Sequence, residues 1–182
     1  MRVIAGEARG LPLITPSPGI RPTMDRVRGA IFSSLGDAVP GARVLDLFAG
    51  SGAIGIEALS RGAASAVFVD SSPRCASCVR ENLRRARLEA SVQVMDALKF
   101  LELYAAGNFD LIFADPPYAK SSADRDFATE LLRNPALVGA LSSSGTFVLE
   151  RRAGSNEPEA SALSLVRLRR YGESEIAYYV PA

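Results

Sequence analysis

The chain has 182 residues, enough for one domain with a substantial core, and its 48% hydrophobic and 23% charged residues are ordinary for a soluble globular fold. It has no histidine, which excludes an imidazole base and histidine-ligated zinc. No apolar run approaches the ~20 residues of a membrane helix, and a net charge of +1 excludes indiscriminate binding to polyanions.

The start, MRVIAGEARG, lacks the basic-then-apolar pattern of an export signal, so a cytoplasmic location is expected. In IAGEARGLPLI a glycine-rich turn separates two short apolar pieces, which predicts a small hairpin. TPSPGIRPT, with Pro16, Pro18 and Pro22, predicts an extended loop. MDRVRGAIFSSLG (24–36) then has helical spacing at Val27, Ile31 and Leu35. Charge is uneven along the chain. Residues 1–36 carry Arg2, Arg9, Arg21, Arg26 and Arg28 against Glu7 and Asp25, a balance of +3; residues 74–87 carry five arginines against Glu81 alone, a balance of +4. Arginine suits phosphate through its planar fork, so Arg9, Arg21, Arg26 and Arg28 are candidate nucleic-acid contacts, with a solvated surface charge as the plain alternative for each.

From about residue 43 strand-like and helix-like segments alternate. VLDLF (44–48), AVFVD (66–70), SVQVM (91–95), NFDLIFA (108–114) and GTFVLE (145–150) read as strands. AIGIEALSRG (53–62), Pro73 to about Leu88, DALKFLELYAA (96–106) and about 123–139 read as helices. LSLVRLRRY (163–171) and EIAYYV (175–180), joined at Gly172, read as an antiparallel hairpin. Alternation of this kind predicts a mostly parallel sheet with right-handed crossovers. Ligands on such sheets sit at the carboxyl ends of strands. The two cysteines, Cys75 and Cys78, lack a second pair for structural zinc and read as small side chains on a helix, with a redox pair as the lesser reading; no metal is expected.

DLFAGSGAIGIEAL (46–59) follows a strand and opens a helix. Gly50, Gly52 and Gly55 also satisfy the dinucleotide spacing, so the glycines alone do not decide the ligand. Asp46, at the strand end, would repel a pyrophosphate and suits a cationic or amino-bearing group, such as the methionine end of S-adenosylmethionine. Asp70, ending the second strand, can accept from ribose hydroxyls. Asp96, ending the third, can accept from an adenine amine while the backbone of Ala97 meets the ring edge. Each acid alone can also be a helix cap, but three at consecutive strand ends are harder to explain that way.

The fourth strand ends in Asp115-Pro116-Pro117-Tyr118. The Asp115 carboxylate and Pro116 carbonyl can accept both hydrogens of an exocyclic amine and aim its lone pair. The prolines fix the backbone and remove competing donors. Tyr118 can stack on a base that has been flipped out of its helix.

These residues match a family. DLFAGSG (46–52) resembles the first motif of class I S-adenosylmethionine methyltransferases, and Asp115-Pro116-Pro117-Tyr118 resembles their amine-methylating tetrapeptide. IAGEARG (4–10), RPTMDRVRGAIF (21–32) and the terminal RYGESEIAYY (170–179) look like those of the RsmD family. Gly29, where that family's helix has Glu, and Ser71-Ser72, where charged residues are commoner, depart from its pattern. The resemblance implies a Rossmann-like α/β fold, a mostly parallel seven-stranded sheet with a C-terminal antiparallel hairpin. Residues 1–40 would form an extension packed on a methyltransferase domain at 41–182. It implies S-adenosylmethionine bound by Thr23, Asp46, Phe48, Ala49, Gly50, Gly52, Asp70, Ser71, Asp96 and Ala97, with Thr23 on the methionine carboxylate. It implies methylation of guanine N2 in 16S ribosomal RNA, in an assembled or partly assembled small subunit, by a monomer. Adenine N6 or a protein glutamine as target, a non-catalytic RNA-binding assembly factor, and a nicotinamide oxidoreductase are the other readings. The oxidoreductase is disfavoured by Asp46 and by the lack of an obvious proton donor.

Overall fold

The carboxyl ends of the strands are where this sequence concentrates its acids and glycines, and the fold follows from how those strands pair. The computed structural model describes residues 1–16, 23–104, 109–119, 124–155 and 162–182. Seven strands make the sheet: β1 (Arg43–Leu47), β2 (Ser65–Asp70), β3 (Ser91–Val94), β4 (Phe109–Ala114), β5 (Leu141–Arg152), β6 (Leu163–Tyr171) and β7 (Ser174–Pro181). The helices are α1 (Thr23–Leu35), α2 (Ala53–Ser60), α3 (Pro73–Ala86), α4 (Ala97–Tyr104), α5 (Phe127–Arg133) and α6 (Pro135–Ala140). The chain divides into two compact units, Met1–Ala97 and Leu98–Ala182. Among the described residues no helix is long and apolar enough to cross a membrane.

In the first unit the strands run parallel in the order β3-β2-β1. Val44, Leu45 and Leu47 of β1 are fully buried, as expected of a parallel strand covered on both faces. Nearly all of α2 is buried too. Gly55 makes that possible: a Cβ there would lie 2.3 Å from the Phe68 ring of β2, so only glycine lets the helix approach the sheet. In α3, Pro73 occupies the first turn, Ser72 caps it by accepting from the Cys75 N–H at 3.4 Å, and Arg84 and Arg85 lie in the last turn, a favourable arrangement for the helix dipole. Ala76, Val79 and Leu83 form its buried stripe.

The N-terminal piece forms the expected hairpin in minimal form, one antiparallel bridge between Arg2 and Pro12 supported by Val3 N–H to Leu11 O (3.0 Å) and Gly10 N–H to Val3 O (2.8 Å). The proline loop at 17–22 lies outside the described residues.

In the second unit the order is β4-β5-β7-β6, with β4 and β5 parallel and the β5/β7 and β7/β6 pairs antiparallel. Leu131, Leu132 and Leu137 are buried. The single helix expected over 123–139 is two helices. Asn134 is extended (φ −81°, ψ 114°) and accepts from the Ala136 N–H at 2.9 Å, ending α5 and capping α6. Pro135 disfavours the helical region for the residue before it. Strand β5 is correspondingly longer than the expected 145–150.

Candidate active site

In the first unit the loop after β1 curls sharply. Phe48 (φ 60°), Gly50 (φ 57°) and Gly52 (φ 77°) all take left-handed conformations. For an aromatic residue this is strained, and strain of this kind gathers at ligand-binding loops. Three bonds hold the curl: Ala49 N–H to Val69 O (3.1 Å), Gly52 N–H to Ala49 O (2.7 Å) and Gly50 N–H to Asp70 Oδ2 (2.8 Å). Asp70 also accepts from Ser72 N–H through Oδ1 at 2.8 Å. A carboxylate has about four acceptor sites, so Asp70 retains capacity for hydroxyl donors. It also ties the glycine loop to the end of β2, and its carbonyl accepts from Met95 N–H at 3.1 Å at the end of β3.

Asp46 has a structural task beside the one its sequence position suggests. It is 4% exposed, and its Oδ2 accepts from Gly55 N–H at 3.0 Å, in the first turn of α2. Gly52, the N-cap residue, has no side chain to do this, so Asp46 supplies the capping oxygen and a negative charge at the helix N-terminus. Little of its surface is left for direct contact with a ligand. Ser71 is exposed, Asp96 half-buried and Ala97 buried. The first unit thus brings Phe48, Ala49, Gly50, Gly52, Asp70, Ser71, Asp96 and Ala97 to the ends of three adjacent strands. Thr23 is the first residue of α1; its side chain, and the whole of Arg21, lie outside the described residues.

The basic residues separate. Arg9 and Arg26 are exposed. Arg28 is 2% exposed, which does not suit the RNA contact expected of it. Its guanidinium donates to the Arg2 carbonyl, pairs with Asp25 at 3.0 Å and stands 3.5 Å from Glu57, so it is engaged within the protein. Glu57, fully buried on α2, accepts from Ile4 N–H (2.7 Å), Ala5 N–H (3.0 Å) and Arg61 Nε–H (2.7 Å). Asn82 of α3 accepts from Ile14 N–H at 2.8 Å and donates to its carbonyl at 2.9 Å. The N-terminal extension is therefore fastened to α2 and α3 by buried polar groups. Cys78 joins them, its thiol 3.2 Å from the Ile14 carbonyl. Burial pushes both the Cys75 and Cys78 thiols up, which disfavours the reactive thiolate a redox pair needs.

In the second unit Asp115, Pro116, Pro117 and Tyr118 follow β4 directly. The Tyr118 hydroxyl donates to Glu150 Oε1 at 3.3 Å and lies 2.9 Å from Ser174 Oγ, which fixes the ring while leaving it 37% exposed. Its pKa is pushed up to about 12, by burial first. The Asp115 carboxyl is pushed up to about 7, by burial and then by the negative charge of Glu150. Asp115 is nevertheless an exposed residue, so water reaches it while the surrounding protein removes part of its solvation shell. A cavity adjoins this turn, lined by Pro116, Pro117, Tyr118, Glu150, Arg152 and Ser155 among others. Glu150 is the residue that sequence reasoning missed. Its signal was an acid closing the apolar run GTFVLE, as acids close β1, β2 and β3 regions.

The family described as conserved hypothetical protein 95 matches residues 1–180. YlbH of Bacillus subtilis, whose name assigns it provisionally to the rRNA methyltransferases, is 36% identical over 185 residues, covering 98% of each chain. Ribosomal RNA small subunit methyltransferase D of Escherichia coli is 39% identical over 122 residues, 66% of this chain and 61% of that protein. The solved structure of yhhF from Escherichia coli, described as a provisional methyltransferase, superposes with a TM-score of 0.81 at 31% identity, over 100% of this chain and 97% of that one.

Proposed function

Because the chain belongs to the RsmD family of methyltransferases, we propose that it moves a methyl group from S-adenosylmethionine to the N2 amine of a guanine in small-subunit ribosomal RNA. The observation that carries this reading is the Asp115–Tyr118 turn after β4, with its aromatic ring fixed and its carboxyl pushed up to about 7. Relatives named for methylation of small-subunit ribosomal RNA support the substrate class.

The donor-binding groups are those of the first unit. The curled loop at Phe48–Gly52 offers close backbone approach, and Asp70, with acceptor capacity to spare, suits a pair of ribose hydroxyls. Asp96 suits the adenine amine beside the Ala97 backbone. The residues present therefore fit S-adenosylmethionine, which supplies an already activated methyl group. In the second unit, the Asp115 carboxylate and Pro116 carbonyl would accept the two N–H bonds of the guanine amine and so orient its lone pair. Tyr118 stacks on the base, a contact worth roughly 1–3 kcal/mol. The new C–N bond would form as the S–C bond of the sulfonium breaks and leaves a neutral thioether; the nitrogen must then shed one proton, and a carboxyl poised near neutrality would be suited to hold it. Positioning supplies most of the rate, since the donor needs no further activation.

The test offers labelled S-adenosylmethionine with unmodified small subunits, naked ribosomal RNA, DNA and protein in parallel. Label in ribosomal RNA supports the reading. Label only in DNA or protein moves the substrate, and no label with a folded, S-adenosylmethionine-binding protein overturns it.

A further inference from the structure

The C-terminal hairpin carries a row of cations that the proposed reaction does not use. Every residue of β6 from Ser164 to Arg170 is exposed, including Arg167, Arg169 and Arg170, and the strand contains no acid. Residues directly opposite in an antiparallel pair share a face, so the register shows which way these side chains project. Arg167 pairs with Tyr178, Arg169 with Ile176 and Tyr171 with Ser174. On the other side of β7, Ile176 pairs with Glu150 and Ser174 with Arg152. Arg167, Arg169, Tyr171 and Arg152 therefore lie on the same sheet face as Glu150 and Ser174, the two residues that hold the Tyr118 hydroxyl. The Arg167 guanidinium confirms the direction, lying 5.8 Å from the centre of the Tyr178 ring.

A bulge produces this arrangement. Leu165 pairs with Tyr179, on the opposite face, and the register then shifts between Leu165 and Arg167. Without the extra residue Arg167 would share the face of Ala177 and Glu175. Bulges at sheet edges re-aim side chains in this way. Arg170 remains on the other face, opposite Glu175, where Arg151 is buried 3.6 Å from the same carboxylate.

We propose that Arg152, Arg167, Arg169 and Tyr171 form a track that holds the RNA strand flanking the target base, continuing the cavity at Tyr118 along the face of the C-terminal hairpin. This rests on the RNA substrate proposed above. The cations meet backbone phosphates, and Tyr171 offers a half-buried ring for stacking on a neighbouring base. Successive arginines on one face stand about 6.8 Å apart along the strand, a step comparable to that between phosphates of an extended strand. Charge complementarity selects the occupant: an edge strand with cations and no acid suits a polyanion.

The experiment measures binding of a naked 16S rRNA transcript to the parent, Arg169→Ala, Arg167→Ala/Arg169→Ala and Arg170→Ala, from 50 to 200 mM salt, with methyl transfer to small subunits in parallel. Arg169 is clear of the Tyr178 contact, so its single variant keeps the test valid if the double variant folds poorly. The double variant is expected to bind roughly tenfold more weakly and to lose about 1 to 2 from the slope of log affinity against log salt. Arg170→Ala stays near the parent, and S-adenosylmethionine affinity is unchanged in all. An unchanged slope in both Arg169→Ala and the double variant, or an equal loss in Arg170→Ala, overturns the track. So does a loss seen with subunits but not with naked RNA, which would put a protein on this face. A parent that binds RNA with this variant pattern but transfers no methyl to it overturns the proposed function and leaves the track standing.

Discussion

Replacing Glu150 with Gln isolates one of the two causes that raise Asp115. The Asp115 carboxyl stands at about 7 against an ordinary 3.8, with burial the larger cause and the Glu150 charge the smaller. An aspartate that must be ionised to accept the amine hydrogens works better as pH rises through its pKa, so kcat/KM of the parent should rise with a midpoint near 7. Gln at 150 removes the negative charge but leaves the burial. Being the smaller of two causes, Glu150 accounts for less than half of the rise, so the midpoint should move down from about 7, by no more than about 1.5 pH units. The Gln amide oxygen still accepts from the Tyr118 hydroxyl, so the ring stays in place and the plateau at high pH changes little. The assay is methyl transfer at subsaturating RNA from pH 5 to 9. A midpoint that stays put, or moves upward, refutes the electrostatic link between Glu150 and Asp115.

Asp115→Ala should reduce transfer by about 100-fold or more, on the scale of losing a preorganised polar partner of the reacting group, while calorimetry finds S-adenosylmethionine binding retained. Because the folded pKa of Asp115 lies above its unfolded value, the stability it contributes is full below about pH 4 and is lost as pH rises through 7; melting curves of Asp115→Asn against pH should lack that decline. Asp70→Ala removes a charged acceptor worth about 1.5–3 kcal/mol and should weaken S-adenosylmethionine binding by roughly tenfold to a hundredfold; unchanged affinity in titration contradicts its ribose role. Glu57→Ala strips the buried partner of Ile4, Ala5, Arg61 and Arg28. It should cost about 3–5 kcal/mol and lower Tm by roughly 10 °C; a shift of a degree or two would show that these contacts contribute little.

The parallel strands were legible because residues such as Val44, Leu45 and Leu47 are apolar on both faces, and their ends were marked by acids and glycines. The tetrapeptide was legible because two prolines after a strand leave few other structures. What escaped depends on partners distant in sequence. Arg28 looks like a surface cation until Glu57, on another helix, is seen to hold it. The capping bond from Asp46 to Gly55, made because Gly52 has no side chain, also depends on a residue nine positions on. Glu150 meets Tyr118 only through the placing of β5 beside β4. The break at Asn134 was within reach, since the proline after it disfavours a continuous helix. The face of Arg167 was not, because a single bulged residue decides it.

The most direct test of the central claim digests the small-subunit RNA labelled by this protein and identifies the methylated nucleoside. The account predicts N2-methylguanosine from the parent and none from Asp115→Ala. Label in N6-methyladenosine, or in any nucleoside methylated on carbon or ribose, would contradict it.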